Sequence, residues 1–165
     1  MTTKHVIDGL HPSKGSFYPQ DVLELSEILK GVKDERPVIV PVGGGTRLQI
    51  GAVLPRYDYA LDLSKMDGLV AHNAADLTCI VQSGISLENL QNILKEEGQF
   101  LAVDTPFPEA ATIGGTLASN APGYLRWQLA HMRDMVIGMQ VVLATGTITK
   151  SGGAVVKNVS GYDMA

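Results

Sequence analysis

Two spacings of apolar residues alternate along this chain, and together they predict helices and strands in one fold. Val22, Leu25, Ile28 and Leu29 recur at helical spacing, while Asp21, Glu24, Glu27 and Lys30 take the opposite face. Pro19 fits the first turn of that helix. The apolar segment from Pro37 to Val42 predicts a short buried strand, and alternation at Tyr57, Tyr59, Leu61 and Leu63 predicts a half-exposed one. A further strand runs from Leu77 to Gln82 and ends at Ser83-Gly84. Leu87, Leu90, Ile93 and Leu94 then mark one face of a second helix, which stops at Gly98. A long apolar run, Met135 to Ala144, is followed by the turn Thr145-Gly146 and a partner strand at Thr147 to Lys150, which predicts a hairpin. The fold class that follows is α+β.

The predicted strand at Pro37 to Val42 runs into Pro41-Val42-Gly43-Gly44-Gly45-Thr46. Three glycines leave backbone N–H groups with no side chain in front of them, an arrangement that binds phosphate oxygens without a formal charge. Pro41 fixes the entry to the loop, and the Thr46 hydroxyl adds a group able to reach a phosphate. A plain turn is the alternative, since glycine is the usual turn residue. The loop is no P-loop, because no Gly-Lys-Ser/Thr follows, and it lacks the Gly-x-Gly-x-x-Gly spacing of a Rossmann turn.

A second glycine motif, Ala111-Thr112-Ile113-Gly114-Gly115-Thr116-Leu117-Ala118-Ser119-Asn120, lies about seventy residues further on. Thr112 is placed to cap a short helix starting at Ile113, whose first amides would then face an anion. Two such loops suit one diphosphate gripped from two sides. Tight packing of a helix on a sheet also wants Gly and Ala, and that alternative stays open here. Residues 104 to 123 also carry prolines at 106, 108 and 122, and the tail from Gly152 is again rich in glycine.

Composition narrows the functions. The chain has 165 residues, 45% apolar and 18% charged, which suits one folded domain. Its net charge of −4 and lack of a basic stripe argue against nucleic-acid binding. No run of residues is long and apolar enough to span a bilayer, and no hydrophobic stretch follows Met1 to His5 as in a secretory signal. A soluble, cytoplasmic protein is the expectation. Cys79, the one cysteine, sits in an apolar run and reads as core, and no Cys/His cluster has zinc-ligand spacing.

Four motifs in order resemble a known family: the loop at 41–46, Thr112-Ile113-Gly114-Gly115 with Ala118 and Asn120, Arg133-Asp134, and Val156-Lys157-Asn158-Val159-Ser160-Gly161-Tyr162-Asp163. The chain from about residue 18 to 163 is similar to the FAD-binding domain of the vanillyl-alcohol oxidase and p-cresol methylhydroxylase type. Within it, the FAD-binding subunits of glycolate oxidases, with Lys-Asn-Val-Ala-Gly-Tyr-Asp at this place, look nearest. The resemblance implies an α+β domain of two subdomains with FAD between them, serving hydride transfer from a 2-hydroxy acid such as glycolate.

It also implies the cofactor-binding residues. Pro41, Val42, Gly43, Gly44, Gly45, Thr46 and Arg47 would hold the pyrophosphate through backbone amides. The segment from Asp104 through Ala111, chiefly Asp104, Thr105, Pro108 and Ala111, would run along the flavin. Thr112, Gly114, Gly115, Ser119 and Asn120 would line the diphosphate and ribityl side. Gly161 and Tyr162 would approach the cofactor or pack the domain. Thr46 stands where covalent members often carry a histidine, so FAD is expected to be noncovalent. Ala130-His131-Met132 departs from the family's usual Gly-Ser before Arg-Asp; His131 is expected to have a surface or packing role, with a place near the flavin ring as the alternative.

Family members continue past Gly-Tyr-Asp with a strand that completes the FAD site and with a substrate domain, so a C-terminally truncated chain is expected. Residues after about Gly152 should then be poorly ordered or pair with another chain. No catalytic acid or base is assigned, and Asp104, Asp134 and Asp163 read as turn or cap residues. The implied partners are a second flavin subunit and an iron–sulfur subunit of a glycolate-oxidase-like complex. The alternatives are a noncatalytic flavin-binding or assembly module and a binder of a non-flavin nucleotide.

Overall fold

The computed structural model describes residues 6, 7, 9–52, 54–120, 123–125, 128 and 132–152. The Lys157 to Asp163 motif, His131 and the expected behaviour of the tail lie outside them, as does Gly153. Twelve short elements cover what is described. Strand β1 (Gly15–Phe17) is followed by α1 (Val22–Val32), a 3₁₀ turn (Lys33–Glu35), β2 (Ile39–Val42) and β3 (Tyr59–Asp62). Then come β4 (Leu69–Asn73), β5 (Thr78–Val81), α2 (Leu87–Glu96), α3 (Ile113–Ala118), α4 (Met132–Met135), β6 (Gly138–Val142) and β7 (Ile148–Gly152).

The first sheet is parallel, in the order β1-β3-β2, with Val42 opposite Asp62 at its end. Its middle strand corrects the sequence reading: β3 was expected to be half-exposed, but Ala60, Leu61 and Asp62 are all buried. A central strand with neighbours on both edges and cover on both faces loses the in–out alternation that a surface strand shows. Strands β1 and β4 were not predicted, since Gly15–Phe17 is too short to show a period and Leu69–Asn73, with apolar residues at three successive positions followed by two polar ones, shows no alternation.

Helix α1 starts at Val22, three residues after Pro19, because Asp21 caps it. The Asp21 carboxylate accepts from the amides of Leu23 and Glu24 at 2.8 and 2.9 Å. Leu25 and Leu29, one turn apart, pack against Leu61 and Met66, with Val142 of β6 at the edge of the same cluster. Ser26, on that face too, donates to the Gly146 carbonyl at 2.6 Å, and so ties the β6–β7 turn to α1. Replacing the cap tests how much the helix depends on it: Asp21→Ala should lower stability by about 1 kcal/mol in denaturant unfolding, with no change in the slope of the transition.

The second helical face is as expected. Leu87, Leu90 and Leu94 are buried with Ile85, Val103, Ile113 and Met132, and Cys79 and Val81 of β5 pack against this cluster. Burial pushes the Cys79 thiol's pKa up, which keeps it protonated and unreactive, in line with a core role. Gly98 ends the α2 region at φ 67°, a conformation that costs a residue with a Cβ about 1 kcal/mol. The predicted hairpin is present but shifted: Met135, expected to begin the strand, ends α4, β6 begins at Gly138, and β7 runs Ile148–Gly152. Gly146 at φ 81° makes the turn, as its glycine suggested.

Candidate functional site

Residues Gly43 to Thr46 leave the end of β2 and press against the segment that leads into α3. A Cβ built on Gly44 would sit 1.6 Å from the Ala110 carbonyl oxygen, and one on Gly43 would sit 2.3 Å from Thr112 Oγ1. The two glycine motifs, distant in sequence, are therefore neighbours; glycine is required at Gly44 by close backbone approach, and Gly43 lies against the Thr112 side chain. Gly45 then turns the chain at φ 76°. The turn closes with the Ile50 amide donating to the Arg47 carbonyl at 3.2 Å.

The two motifs differ in what their amides do. Among the described residues, no acceptor takes the backbone N–H of Gly43, Gly44, Gly45 or Thr46. Nor does the Thr46 hydroxyl have a partner there. At α3 the opposite holds. Ile113 donates to the Ile85 carbonyl at 2.9 Å and Gly114 to the Ser83 carbonyl at 2.8 Å. Gly115 donates to the Thr112 side chain at 3.2 Å, the cap that the sequence predicted. The expectation that this helix start offers free amides to an anion is thus corrected. Its donors are spent on the β5–α2 connection, and a Cβ on Gly114 would meet Ser83 Cβ at 2.7 Å. Close packing against Ser83 accounts for the glycine at Gly114.

Two clefts open at the junction. The larger, about 660 Å³, is lined by Val6, Gly44, Gly45, Thr46, Arg47, Leu48, Gln49 and Ile50. The smaller, about 310 Å³, is lined by Gly44, Ser64, Asp67, Gly84, Ser86, Asn89, Glu109, Ala110 and Thr112. Gly44 borders both. The first loop is therefore a concave set of unpaired donors at the wall of a cleft, the arrangement that holds phosphate oxygens. Among the described residues Arg47, half-buried, is the one charged residue in the larger lining, while Asp67 and Glu109 border the smaller.

The remaining sequence-predicted residues are placed nearby but in other roles. Asp104 accepts from the Leu125 amide at 3.0 Å, the turn role expected of it. Thr105 and Ala111 are buried, and the carbonyls of Pro108 and Ala111 take the amides of Glu88 and Leu87 at the start of α2. Ser119 closes the C-terminal end of α3 by donating to the Gly115 carbonyl at 2.8 Å, and Asn120 follows in a left-handed conformation at φ 44°. Pro41 is exposed on β2 and Val42 is buried under the loop. Of the second motif only Thr112 borders a cleft.

Sequence reasoning missed Val6, Leu48, Gln49 and Ile50 in the larger cleft and Ser64, Asp67, Gly84, Ser86 and Asn89 in the smaller, while Glu109 and Ala110 fall in the segment expected along the flavin. One signal was available: Ser86, three residues before Asn89 and just before the apolar run, is the N-cap of α2 and accepts from the Asn89 amide at 3.1 Å. The others come together only through the contact of the two glycine motifs.

Known proteins resemble this chain in sequence and in fold. The chain is 34% identical over 146 residues to the D-2-hydroxyglutarate dehydrogenase of Xanthomonas citri pv. viticola, covering 88% of this chain and 31% of that one. To the glycolate oxidase subunit GlcD of Bacillus subtilis it is 33% identical over 146 residues, with the same 88% and 31%. It thus spans about a third of the length of these relatives. Among solved structures, p-cresol methylhydroxylase with substrate bound superposes with a TM-score of 0.69 at 21% identity, over 83% of this chain and 27% of that one, a likeness of fold. Residues 13–152 match the family described as FAD binding domain, and that stretch contains the glycine loop, its unpaired amides, the lining of the smaller cleft and all the described lining of the larger one except Val6. The fold is that of the p-cresol methylhydroxylase type, FAD is the cofactor such a domain takes, and the chain belongs to the FAD binding domain family.

Proposed function

We propose that this chain is the FAD-binding portion of a flavin-dependent oxidoreductase that oxidises a 2-hydroxy acid of the glycolate type. The observation that carries the cofactor's placement is the row of unpaired amides from Gly43 to Thr46 at the wall of the larger cleft. These donors would hold the pyrophosphate, with the Thr46 hydroxyl beside them. When bound, FAD supplies the hydride acceptor for the carbon that bears the substrate's hydroxyl. The 2-hydroxy-acid class is supported by two relatives named for D-2-hydroxyglutarate and glycolate. FAD is held noncovalently, since the loop 43–50 contains no histidine, cysteine or tyrosine to attach it. A second flavin subunit and an iron–sulfur subunit are the partners proposed, in the cytoplasm.

A noncatalytic flavin-binding or assembly module is the second reading. The described lining of the larger cleft favours it for this stretch, because among the described residues no side chain there can take up or release a proton at neutral pH. The chain's part is then to bind and orient the cofactor.

Absorbance spectra of the full-length protein, taken after FAD is added and the excess removed, test both readings. Retained flavin bands, released into the supernatant by acid, are expected. Bleaching of those bands by glycolate or D-2-hydroxyglutarate under anaerobic conditions supports the oxidoreductase. Retained flavin that no 2-hydroxy acid bleaches, with partner subunits present, supports the assembly module. A protein that stays colourless overturns the proposal.

A further inference from the structure

We propose that Ile7 is a positioning residue for the larger cleft: it pins the segment ahead of β1 as a strap, and the strap slows the escape of a ligand held there. The inference rests on the reading of that cleft as the cofactor site and adds a part of the chain that the family match leaves out. Val6, Ile7, Gly9 and Leu10 all precede the matched stretch, which begins at Ser13.

Neighbouring side chains here serve the cleft and the core. Val6, half-buried, lines the larger cleft together with Gly44 to Ile50, a segment far along the chain. Ile7 is 3% exposed and packs with Val42, Tyr57 and Ala60 beside β2 and β3. Leu10 packs against the same cluster, and so does Leu48, which also lines the cleft. One apolar cluster therefore holds the strap and the cleft segment at once.

The backbone shows where the strap ends. The amides of Ile7 and Leu10 each donate to the other's carbonyl, at 3.1 and 2.8 Å, around a turn in which Gly9 has φ 79°. Further on, the Ser13 and Lys14 amides donate to the carbonyls of Tyr57 and Asp58 at 3.1 and 2.9 Å, and β1 then pairs with β3. From Ser13 onward the chain is thus held by the sheet. The turn ahead of it bonds to itself and is anchored by the Ile7 and Leu10 side chains.

A segment secured by few side chains opens locally, at less than the cost of global unfolding. Opening takes Val6 off the cleft, and closing returns it, so the strap sets the rate at which a covered ligand leaves. Linkage makes the effect reciprocal: a ligand in the cleft favours the closed strap.

The test uses the full-length protein and the variants Ile7→Ala and Ile7→Val, with Asp21→Ala as a destabilised control in α1. The probe is FAD, and its release is followed by the flavin retained on desalting at successive times after dilution. Ile7→Ala should speed release by about 10-fold, because lost contacts act mainly on the off-rate. Ile7→Val should stay near the natural rate, and Asp21→Ala, although less stable, should leave release unchanged. Hydrogen exchange gives a second readout that needs no ligand. In the flavin-stripped protein Ile7→Ala should speed exchange of the Leu10 and Ile50 amides, one in the strap and one in the cleft segment, and Asp21→Ala should not. Adding FAD to the natural protein should slow exchange at Leu10.

Unchanged FAD release in Ile7→Ala overturns the strap. So does release from Asp21→Ala as fast as from Ile7→Ala, since the effect would then be one of stability alone. If Ile7→Ala does not fold, Val6→Ala decides, because it trims the wall and leaves the anchor: faster release keeps the strap, and the natural rate overturns it. A natural protein that holds no FAD overturns the flavin reading. The strap then stands if Ile50 exchange responds to Ile7→Ala and falls if it does not.

Discussion

Gly44→Ala is expected to cost about 3 kcal/mol of stability or more and to remove measurable FAD retention. The added Cβ would lie 1.6 Å from the Ala110 carbonyl oxygen, 2.6 Å from its carbon and 3.3 Å from the Ala111 nitrogen. All three are backbone atoms, so no side-chain rotation relieves the overlap. The segment cannot retreat easily either. Ala110 and Ala111 both donate to the Phe107 carbonyl, at 3.0 and 2.7 Å, and the Ala111 carbonyl holds the Leu87 amide at 2.9 Å. The glycine loop must therefore move, and with it the amides at the cleft wall. Denaturant unfolding of the stripped protein measures the first effect, and flavin absorbance after desalting the second. A variant with natural stability and full flavin content would mean that the two glycine motifs are not in contact.

The second large effect is expected at Gly84, where alanine should also cost about 3 kcal/mol or more. Its Cβ would lie 2.0 Å from the Leu63 carbonyl oxygen and 2.8 Å from that of Met66, while the Gly84 amide donates to the same Met66 oxygen at 2.7 Å. Leu63 follows the central strand β3, and Gly84 follows β5 and precedes α2. The substitution thus wedges apart the junction between the parallel sheet and the α2 core. Thermal unfolding should show a lower midpoint in a single transition, because Leu61 and Met66 on one side and Ile85 and Leu90 on the other bury their side chains on elements this junction joins. A loss below about 1 kcal/mol would show that the Leu63 turn yields at little cost.

These two positions also show where sequence reasoning reaches its limit. The glycine triplet was legible as a candidate nest because a strand signal led straight into it. Which glycine is sterically required was not legible, since that depends on Ala110, which lies far along the chain. The α3 motif shows the same limit from the other direction. Thr112 as a cap and a helix from Ile113 follow from local chemistry, and both are present. The fate of the helix's first amides does not, because their acceptors, the carbonyls of Ser83 and Ile85, lie some thirty residues away.

The same division holds across the fold. The sequence by itself determined what is settled within a turn or two: the apolar faces of α1 and α2, the stops at Gly98 and Gly146, the Thr112 cap and the glycine loop after β2. Side-chain periodicity, caps and positive φ angles are local properties, and neighbouring residues dictate them. Only the tertiary structure decided that β3 is a central buried strand, that β1 and β4 find partners, and that the two glycine motifs touch with only the first keeping its donors unpaired. Those outcomes depend on which distant backbone groups meet, and one chain's local pattern does not encode the pairing of donors and acceptors far apart along it.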